Sequence, residues 1–374
     1  MHPILFTLGL LSIFALLNFY VYKRLIFHLA ISQKQKQRLL TFLHFNLFGI
    51  FLYALGRYYI EFPNSLYFLF SVPIGIIFLL VCTTLIYDIL HSLLKRVPLQ
   101  PKRRKFFKQT LDLSSFAIAS SLTLRSLYEA STLTLEEKHI KIKNLQKEYT
   151  LVQLSDIHIG GLIDAHYIQN VVKRVNALHP DLVVITGDLV DIDIHKAAHA
   201  LQALQNLQSK YGTFFIVGNH EYFHDIQAII KRVKTLGIHV LENNSYYVGE
   251  RGKGFNLVGV YDLFGYRVNR YVPDLTKALS QRELNAPTIL LAHQPKFLQE
   301  VHERDEIALM LSGHTHGGQL FPFQALVKLQ QPYVSGLHQH TQTTQIYVSK
   351  GTGFWGPPMR LGAKAEITKI VLSP

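Results

Sequence analysis

The chain has 374 residues, enough for two structural units at roughly 100 to 200 residues per domain. Hydrophobic residues make up 48% of it and are concentrated before about residue 125. The formal net charge of +13 includes cations clustered at residues 23–38 and 95–108, beside apolar runs, as in membrane proteins. This distribution argues against a nucleic-acid partner, and the lone cysteine excludes an intrachain disulfide and a cysteine-based metal site.

Three uncharged apolar runs open the chain, at residues 4–21, 39–56 and 66–87. About 20 such residues cross a bilayer, so we predict three transmembrane helices. A cleavable signal peptide would account for the first run alone, and that run lacks a basic start and a small-residue cleavage site.

A shorter segment, residues 113–124, contains four serines and is either a fourth span or an interfacial helix. Both basic loops are predicted to be cytoplasmic, which places the N-terminus outside. A fourth span would put everything after it outside the cytoplasm. The run Arg103-Arg104-Lys105-Phe106-Phe107-Lys108 resembles a twin-arginine export signal and favours that side. We predict a multi-pass protein of the bacterial cytoplasmic (inner) membrane with an extracytoplasmic second domain, and the cytoplasmic alternative stays open.

From about residue 133 short apolar strands begin to alternate with helical stretches, which predicts a layered α/β domain. We therefore divide the chain into a membrane domain, residues 1–130, with three or four transmembrane helices, and a second domain, residues 131–374. The predicted strands are residues 139–143, 149–154, 182–186, 213–217, 255–260, 288–292 and 307–311, and the predicted helices include residues 166–178 and 225–236.

Five of the predicted strands run directly into polar side chains that are typical metal ligands. These side chains are Asp156, His158, Asp188, Asn219, His293, His314 and His316. Ligands of open α/β sheets bind at the carboxyl ends of strands, and imidazole nitrogens with carboxylate or amide oxygens suit a borderline divalent metal. Gly187, Gly218 and Gly313 precede three of these blocks, where we expect the backbone to turn sharply.

The five blocks, in this order, resemble the calcineurin-like metallophosphoesterase superfamily, whose pattern is D-x-H, G-D, G-N-H-[DE], H and G-H-x-H. The resemblance covers about residues 149–372. The stretches Gly313-His314-Thr315-His316-Gly317-Gly318-Gln319 and Gly351-Thr352-Gly353-Phe354-Trp355-Gly356-Pro357-Pro358-Met359-Arg360 resemble its bacterial membrane-linked branch. The fold that the resemblance implies is a layered β-sandwich flanked by helices (αββα).

The resemblance also implies a site with two divalent metal ions, drawn from Mn, Fe, Zn and Co. One metal is expected on Asp156, His158 and His316, and the other on Asn219, His293 and His314, with Asp188 bridging them. His220 is expected to be catalytic, by hydrogen-bonding the scissile phosphate or protonating the leaving group. A hydroxide activated by both metals would then attack phosphorus.

Three functions stay open. The first is hydrolysis of phosphodiester or pyrophosphate bonds in a lipid-linked substrate, such as UDP-2,3-diacylglucosamine, which faces the cytoplasm. The second is a membrane-tethered phosphodiesterase or phosphatase for soluble extracytoplasmic phosphate esters. The third is an inactive, metal-stabilised scaffold.

Several other features have both a functional and a structural interpretation. Glu221 either orients His220 or is a solvated carboxylate, and Asp262 either supports the site or forms a turn. Arg360 either clamps phosphate or forms a salt bridge. The loop around Trp355 and residues 320–329 are candidate surfaces for a substrate or an acyl chain.

Overall fold

The computed structural model describes residues 3–374, which divide into two compact units. The first unit runs to Ser131 and also includes the short segment Gly356–Leu361. The second consists of Thr132–Trp355 and Gly362–Pro374.

Four long helices form most of the first unit. They are α1 (Pro3–Arg24), α2 (Gln33–Tyr58), α3 (Asn64–Arg96) and α4 (Pro101–Ala130). The stretches Thr7–His28, Gln33–Tyr58 and Asn64–Arg96 are long and apolar enough to cross a membrane, which agrees with the three predicted spans. The ambiguous segment, residues 113–124, lies inside α4, which is not among these three stretches of the described residues.

The second unit contains twelve strands in two six-stranded sheets. The strands are β1 (Leu133–Lys141), β2 (Tyr149–Leu154), β3 (Leu182–Thr186), β4 (Thr213–Ile216), β5 (His239–Val240), β6 (Asn244–Val248), β7 (Phe255–Gly259), β8 (Thr288–Leu291), β9 (Ile307–Ser312), β10 (Gly336–Gln339), β11 (Gln345–Val348) and β12 (Ala365–Ser373). The first sheet has the order β1-β12-β2-β3-β4-β5 and the second β10-β11-β9-β8-β7-β6.

Six shorter helices connect the strands. They are α5 (Ala165–Asn176), α6 (Ile194–Gln202), α7 (Ile226–Thr235), α8 (Phe264–Val268), α9 (Leu275–Leu279) and α10 (Gln324–Val327). Helices α5, α6 and α7 pack on the outer face of the first sheet, and α9 packs on that of the second. Strand β3 shows how the layers form. Leu182 and Val184 pack between the two sheets, while Val183 and Ile185 pack against α5, α6 and α7, because successive strand side chains point to opposite faces. The predicted α/β sandwich flanked by helices is therefore confirmed.

Parallel pairing brings the carboxyl ends of the central strands to one edge. Strands β2, β3 and β4 are parallel neighbours in the first sheet, and β7, β8 and β9 in the second. The candidate ligands follow β2, β3, β4, β8 and β9, so both sheets deliver them to the same edge of the sandwich.

Candidate metal centre

The first cluster of ligand atoms belongs to Asp156, His158 and His316, whose atoms lie within 4.8 Å of one another. Nε2 of His158 is 3.0 Å from Nε2 of His316, and Oδ1 of Asp156 is 3.4 Å from Nε2 of His316. The Nδ1 atom of His158 is buried without a hydrogen-bond partner. Two imidazole nitrogens and a carboxylate oxygen that converge in this way fit a divalent cation.

The second cluster consists of Asp188, His293 and His314, again within 4.8 Å. Oδ1 of Asn219 lies 3.2 Å from Nε2 of His293, so its amide oxygen joins the group. Nδ1 of His293 is 2.7 Å from the carbonyl oxygen of Thr186, to which it donates. Burial acts to lower the pKa of His293, but Asp188 raises it well above its usual value, so Nε2, the nitrogen that faces the cluster, carries a proton that a bound cation would displace.

The carboxylate of Asp188 lies between the two clusters. Its Oδ2 atom is 3.2 Å from Nε2 of His293 and 3.8 Å from Nε2 of His158. Its Oδ1 atom accepts the backbone N–H of His220 at 2.8 Å, which fixes the rotation of the carboxylate. Asp188 is thus the residue that reaches an imidazole of each cluster.

The protonation states of two histidines and of the carboxylate between the clusters suit the binding of cations. Burial lowers the pKa values of His158 and His314 to about 3, so both stay neutral and keep a lone pair near pH 7. Burial acts to raise the pKa of Asp188, but His293 and His220 hold it well below its usual value. A buried anionic carboxylate requires a positive partner. The donor set therefore fits two divalent cations.

Backbone strain accompanies the ligand positions. Five predicted ligands have positive φ angles near 50° to 69°, in the left-handed region that non-glycine residues rarely adopt. They are Asp156, His158, Asp188, His314 and His316. Such strain costs about 1–3 kcal/mol per residue and persists where the surrounding structure imposes it, which is common at functional sites.

The three glycines of the ligand blocks meet two different needs. Gly187 has a φ of +87°, so it makes the expected turn. Gly218 and Gly313 do not have positive φ angles, so they do not make the sharp turn that we expected there. A Cβ on Gly218 would lie 2.3 Å from Oδ1 of Asp188, and one on Gly313 would lie 2.2 Å from Oδ2 of Asp156. Both glycines therefore make room for a ligand carboxylate.

His220 sits beside the clusters and hydrogen-bonds to Asp191, a residue that the sequence pattern did not single out. Its Nδ1 atom lies 2.6 Å from Oδ1 of Asp191, and its Nε2 atom lies 3.9 Å from Oδ2 of Asp188. Because Nδ1–H donates to Asp191, Nε2 faces the site. Asp191 follows Asp188 by three residues at the end of β3, and that spacing was the available indication. His158, Asp191 and His220 also form a third group of atoms close enough to hold an ion.

Glu221 is fully buried and is not the solvated carboxylate that one interpretation allowed. Its two oxygens accept four backbone N–H groups, from Asp188, Leu189, Val190 and Gly218, at 2.6–3.1 Å. Burial and the Asp188 carboxylate raise its pKa to about 7, while the N–H donors favour the charged form. Glu221 thus ties the turn that carries Asp188 to the one that carries Asn219.

Asp262 combines both of its interpretations. Its side chain accepts the N–H of Phe264 at 2.8 Å, which is a turn contact, and the amide of Gln294 at 2.9 Å. Gln294 directly follows His293. Arg360, by contrast, belongs to the helical unit, where it is fully buried and its backbone N–H donates to the carbonyl of Ser126 at 2.8 Å.

Two aromatic rings pack edge-on against His220, which is itself buried. The Phe223 ring centre is 5.1 Å from that of His220, and the Trp355 ring centre is 5.8 Å away. Phe264 packs on Phe223 at 5.0 Å. The loop around Trp355 therefore lies next to the candidate catalytic residue.

Comparison with known proteins gives the same family as the motifs. Residues 149–318 match the family described as calcineurin-like phosphoesterase. A metallophosphoesterase of Helicobacter pylori is 37% identical over 371 residues, which cover 99% of each chain. A metallophosphoesterase of Campylobacter jejuni is 34% identical over 379 residues, covering 99% of this chain and 98% of that one. The similarity to both extends over the helical unit as well as the sandwich.

A vertebrate relative matches a smaller part. The transmembrane protein with metallophosphoesterase domain of Danio rerio is 39% identical over 229 residues, which cover 59% of this chain and 52% of that protein.

Proposed function

Because the chain belongs to the calcineurin-like metallophosphoesterase family, we propose that it hydrolyses phosphodiester or pyrophosphate bonds with two divalent metal ions. Asp156, His158 and His316 would hold one ion, Asn219, His293 and His314 would hold the other, and Asp188 would serve both. The observation that carries the proposal is the position of Asp188 Oδ2, which lies 3.2 Å and 3.8 Å from one imidazole of each cluster.

The metal ions and the side chains of the site have different roles in the proposed reaction. When bound, the two cations polarise the phosphoryl oxygens, neutralise negative charge and acidify water. The buried histidines and carboxylates fix where those charges sit, so little reorganisation is needed during the reaction. His220, held by Asp191 through Nδ1–H, presents Nε2 to the scissile group, and when protonated on both nitrogens it donates the Nε2 proton to the leaving oxygen and is left neutral. Glu221 keeps the two ligand turns in register.

The first test is hydrolysis by the full-length protein in detergent, with bis(p-nitrophenyl) phosphate as substrate. We expect turnover with added Mn²⁺, its loss on addition of a chelator, and its return when metal is restored, because the ligands hold the cations that the reaction requires. Absence of turnover with Mn²⁺, Fe²⁺, Zn²⁺ and Co²⁺ alike would favour the inactive scaffold and overturn the proposal.

The side of the membrane on which the phosphoesterase domain lies depends on whether α4 spans the bilayer. In α4 small residues are buried and large apolar residues are exposed, the opposite of a helix in a water-soluble protein. Ser115, Ala119 and Ser126 are buried, whereas Leu113 and Leu124 are about 70% exposed (73% and 69%). Small inward residues and large apolar outward residues are typical of a helix packed within a bilayer. This pattern supports α4 as a fourth span.

The one acidic residue in the middle of α4 is compatible with a span. Asp112 is buried, and its carboxylate accepts the N–H of Ala30 at 2.9 Å and the O–H of Tyr87 at 3.0 Å, and pairs with Lys108. Ionisable residues inside membranes are usually paired in this way. Four spans place the two basic loops together on the cytoplasmic side of a bacterial inner membrane, and the phosphoesterase domain outside.

A fusion of alkaline phosphatase after Ser131 tests this topology. We expect the fused phosphatase to be active, because it folds only outside the cytoplasm, and a control fusion after Gln100, in the second basic loop, to be inactive. An inactive Ser131 fusion, with the Gln100 control inactive as well, would place the domain in the cytoplasm. Only that result is compatible with UDP-2,3-diacylglucosamine as the substrate, so an active Ser131 fusion leaves lipid-linked or soluble esters of the outer face.

A further inference from the structure

The turn that carries the last metal ligand continues into an exposed apolar loop. Leu329 is 81% exposed, Phe321 59% and Leu326 55%, and Phe323 is exposed as well. Exposed apolar residues that occur singly are ordinary, but a cluster of them marks an interaction site. We name these four residues together with Trp355 the apolar rim.

Polar contacts hold both ends of this loop. At its start, the Gln319 side chain donates to the carbonyl of Trp355 at 2.9 Å and accepts the N–H of Trp355 at 3.1 Å. At its end, buried Gln331 accepts the N–H of Lys296 at 3.0 Å and donates to Gln294 at 3.3 Å. Glutamine side chains therefore hold both ends of the loop, while its apolar side chains are exposed.

The rim lies against the candidate metal centre. Gly318, two residues after His316, has a φ of +79°, and a Cβ there would be 2.7 Å from Cα of Gln324. Helix α10 thus packs directly on the ligand turn. Trp355 is hydrogen-bonded to Gln319, and the centre of its ring is 5.8 Å from the centre of the His220 ring. A substrate whose phosphate reached His220 would have its neighbouring group beside Trp355, the member of the rim that contacts His220.

We infer that the apolar rim binds an acyl chain of a phosphate ester drawn from a bilayer; this inference rests on the proposed hydrolase function. Three candidate spans keep a bilayer permanently close to the domain. Lys328 is exposed among the rim residues, and a cation within an apolar surface fits an anionic lipid head group. Leucines suit a flexible aliphatic chain better than a flat nucleobase, which is recognised by stacking and hydrogen bonds.

A pair of substrates with one leaving group tests the inference. Methyl p-nitrophenyl phosphate and hexadecyl p-nitrophenyl phosphate differ only in the tail, and both release nitrophenol. The full-length protein in nanodiscs is expected to show at least a tenfold higher kcat/KM for the hexadecyl ester. In the double variant Leu326→Gln/Leu329→Gln this preference should fall about tenfold, because two apolar contacts with the chain are lost.

The matched control is Leu284→Gln, since Leu284 is 79% exposed in a loop of another part of the domain. Its preference for the hexadecyl ester should stay that of the wild type. An unchanged preference in the double variant, or an equal loss in Leu284→Gln, overturns the acyl-chain inference. Failure of the wild type to hydrolyse either ester contradicts the proposed function instead.

Trp355 supplies a second readout that needs no variant, because it is the single tryptophan of the chain. Its fluorescence in the detergent-solubilised protein should be quenched by a phospholipid with brominated acyl chains, and the hexadecyl ester should reverse the quenching while the methyl ester does not. Quenching that the hexadecyl ester leaves unchanged contradicts binding of its chain at the rim.

Discussion

The variant Asp188→Asn is expected to lose bound metal and at least 10³-fold in turnover of bis(p-nitrophenyl) phosphate. Asparagine keeps an oxygen that accepts the His220 N–H, so the local fold should persist. It removes the negative charge that lies between the two clusters. Loss of a metal-centred electrostatic contribution of several kcal/mol corresponds to that factor, at 1.36 kcal/mol per tenfold.

The measurements are metal content by mass spectrometry and kcat, both on full-length protein. Asp193→Asn is the matched control, because Asp193 is exposed, lies five residues further along, and only caps α6 through the N–H of His195 at 2.9 Å. It should retain wild-type metal content and kcat. An Asp188→Asn protein with full metal content and more than a tenth of wild-type kcat would show that Asp188 does not bridge the ions.

Local patterns in the sequence predicted the strands that carry the site. Residues 149–154 and 182–186 were predicted as strands, and β2 (Tyr149–Leu154) and β3 (Leu182–Thr186) have those bounds. In these segments a short apolar run predicts the strand, and the Gly-Asp or His block that follows marks where the strand ends. The same pattern therefore predicts the strand and the candidate ligands after it.

Strand β12 (Ala365–Ser373) was not predicted, because its place depends on distant partners. It pairs in parallel with β1 and antiparallel with β2, more than 200 residues earlier in the chain. Nothing in a local pattern specifies such pairing. The same holds for β10 (Gly336–Gln339), a half-polar strand on the edge of the second sheet.

Glu221 and Asp191 show why part of the site escaped prediction. A glutamate is normally exposed, and the four N–H groups that bury Glu221 come from two loops that only the folded sandwich brings together. Asp191 contacts His220, and that contact runs across the loops after β3 and β4, so its role depends on the folded structure. The candidate ligands follow from residue type, but the residues that contact and orient them do not.

His220→Asn is expected to lower kcat by roughly 10² to 10⁴ while leaving metal content unchanged, since proton transfer from a positioned side chain contributes about that factor. The loss should be larger for an ester with an alkoxide leaving group than for one with nitrophenolate, because only the poorer leaving group needs the proton. Asp191→Asn should give a smaller loss with the same dependence, since it removes only the carboxylate that orients Nδ1.

The dependence of the loss on the leaving group distinguishes two roles of His220, a general acid and a metal ligand. His158, Asp191 and His220 are themselves close enough to hold an ion, so His220 has a definite alternative role. Loss of one metal equivalent in His220→Asn, with equal effects on both leaving groups, would assign His220 to metal binding. His195→Asn, at an exposed position of α6, is the control and should change neither quantity. If metal content is unchanged and the loss of kcat depends on the leaving group, His220 is the proton donor, because loss of the donated proton alone accounts for both results.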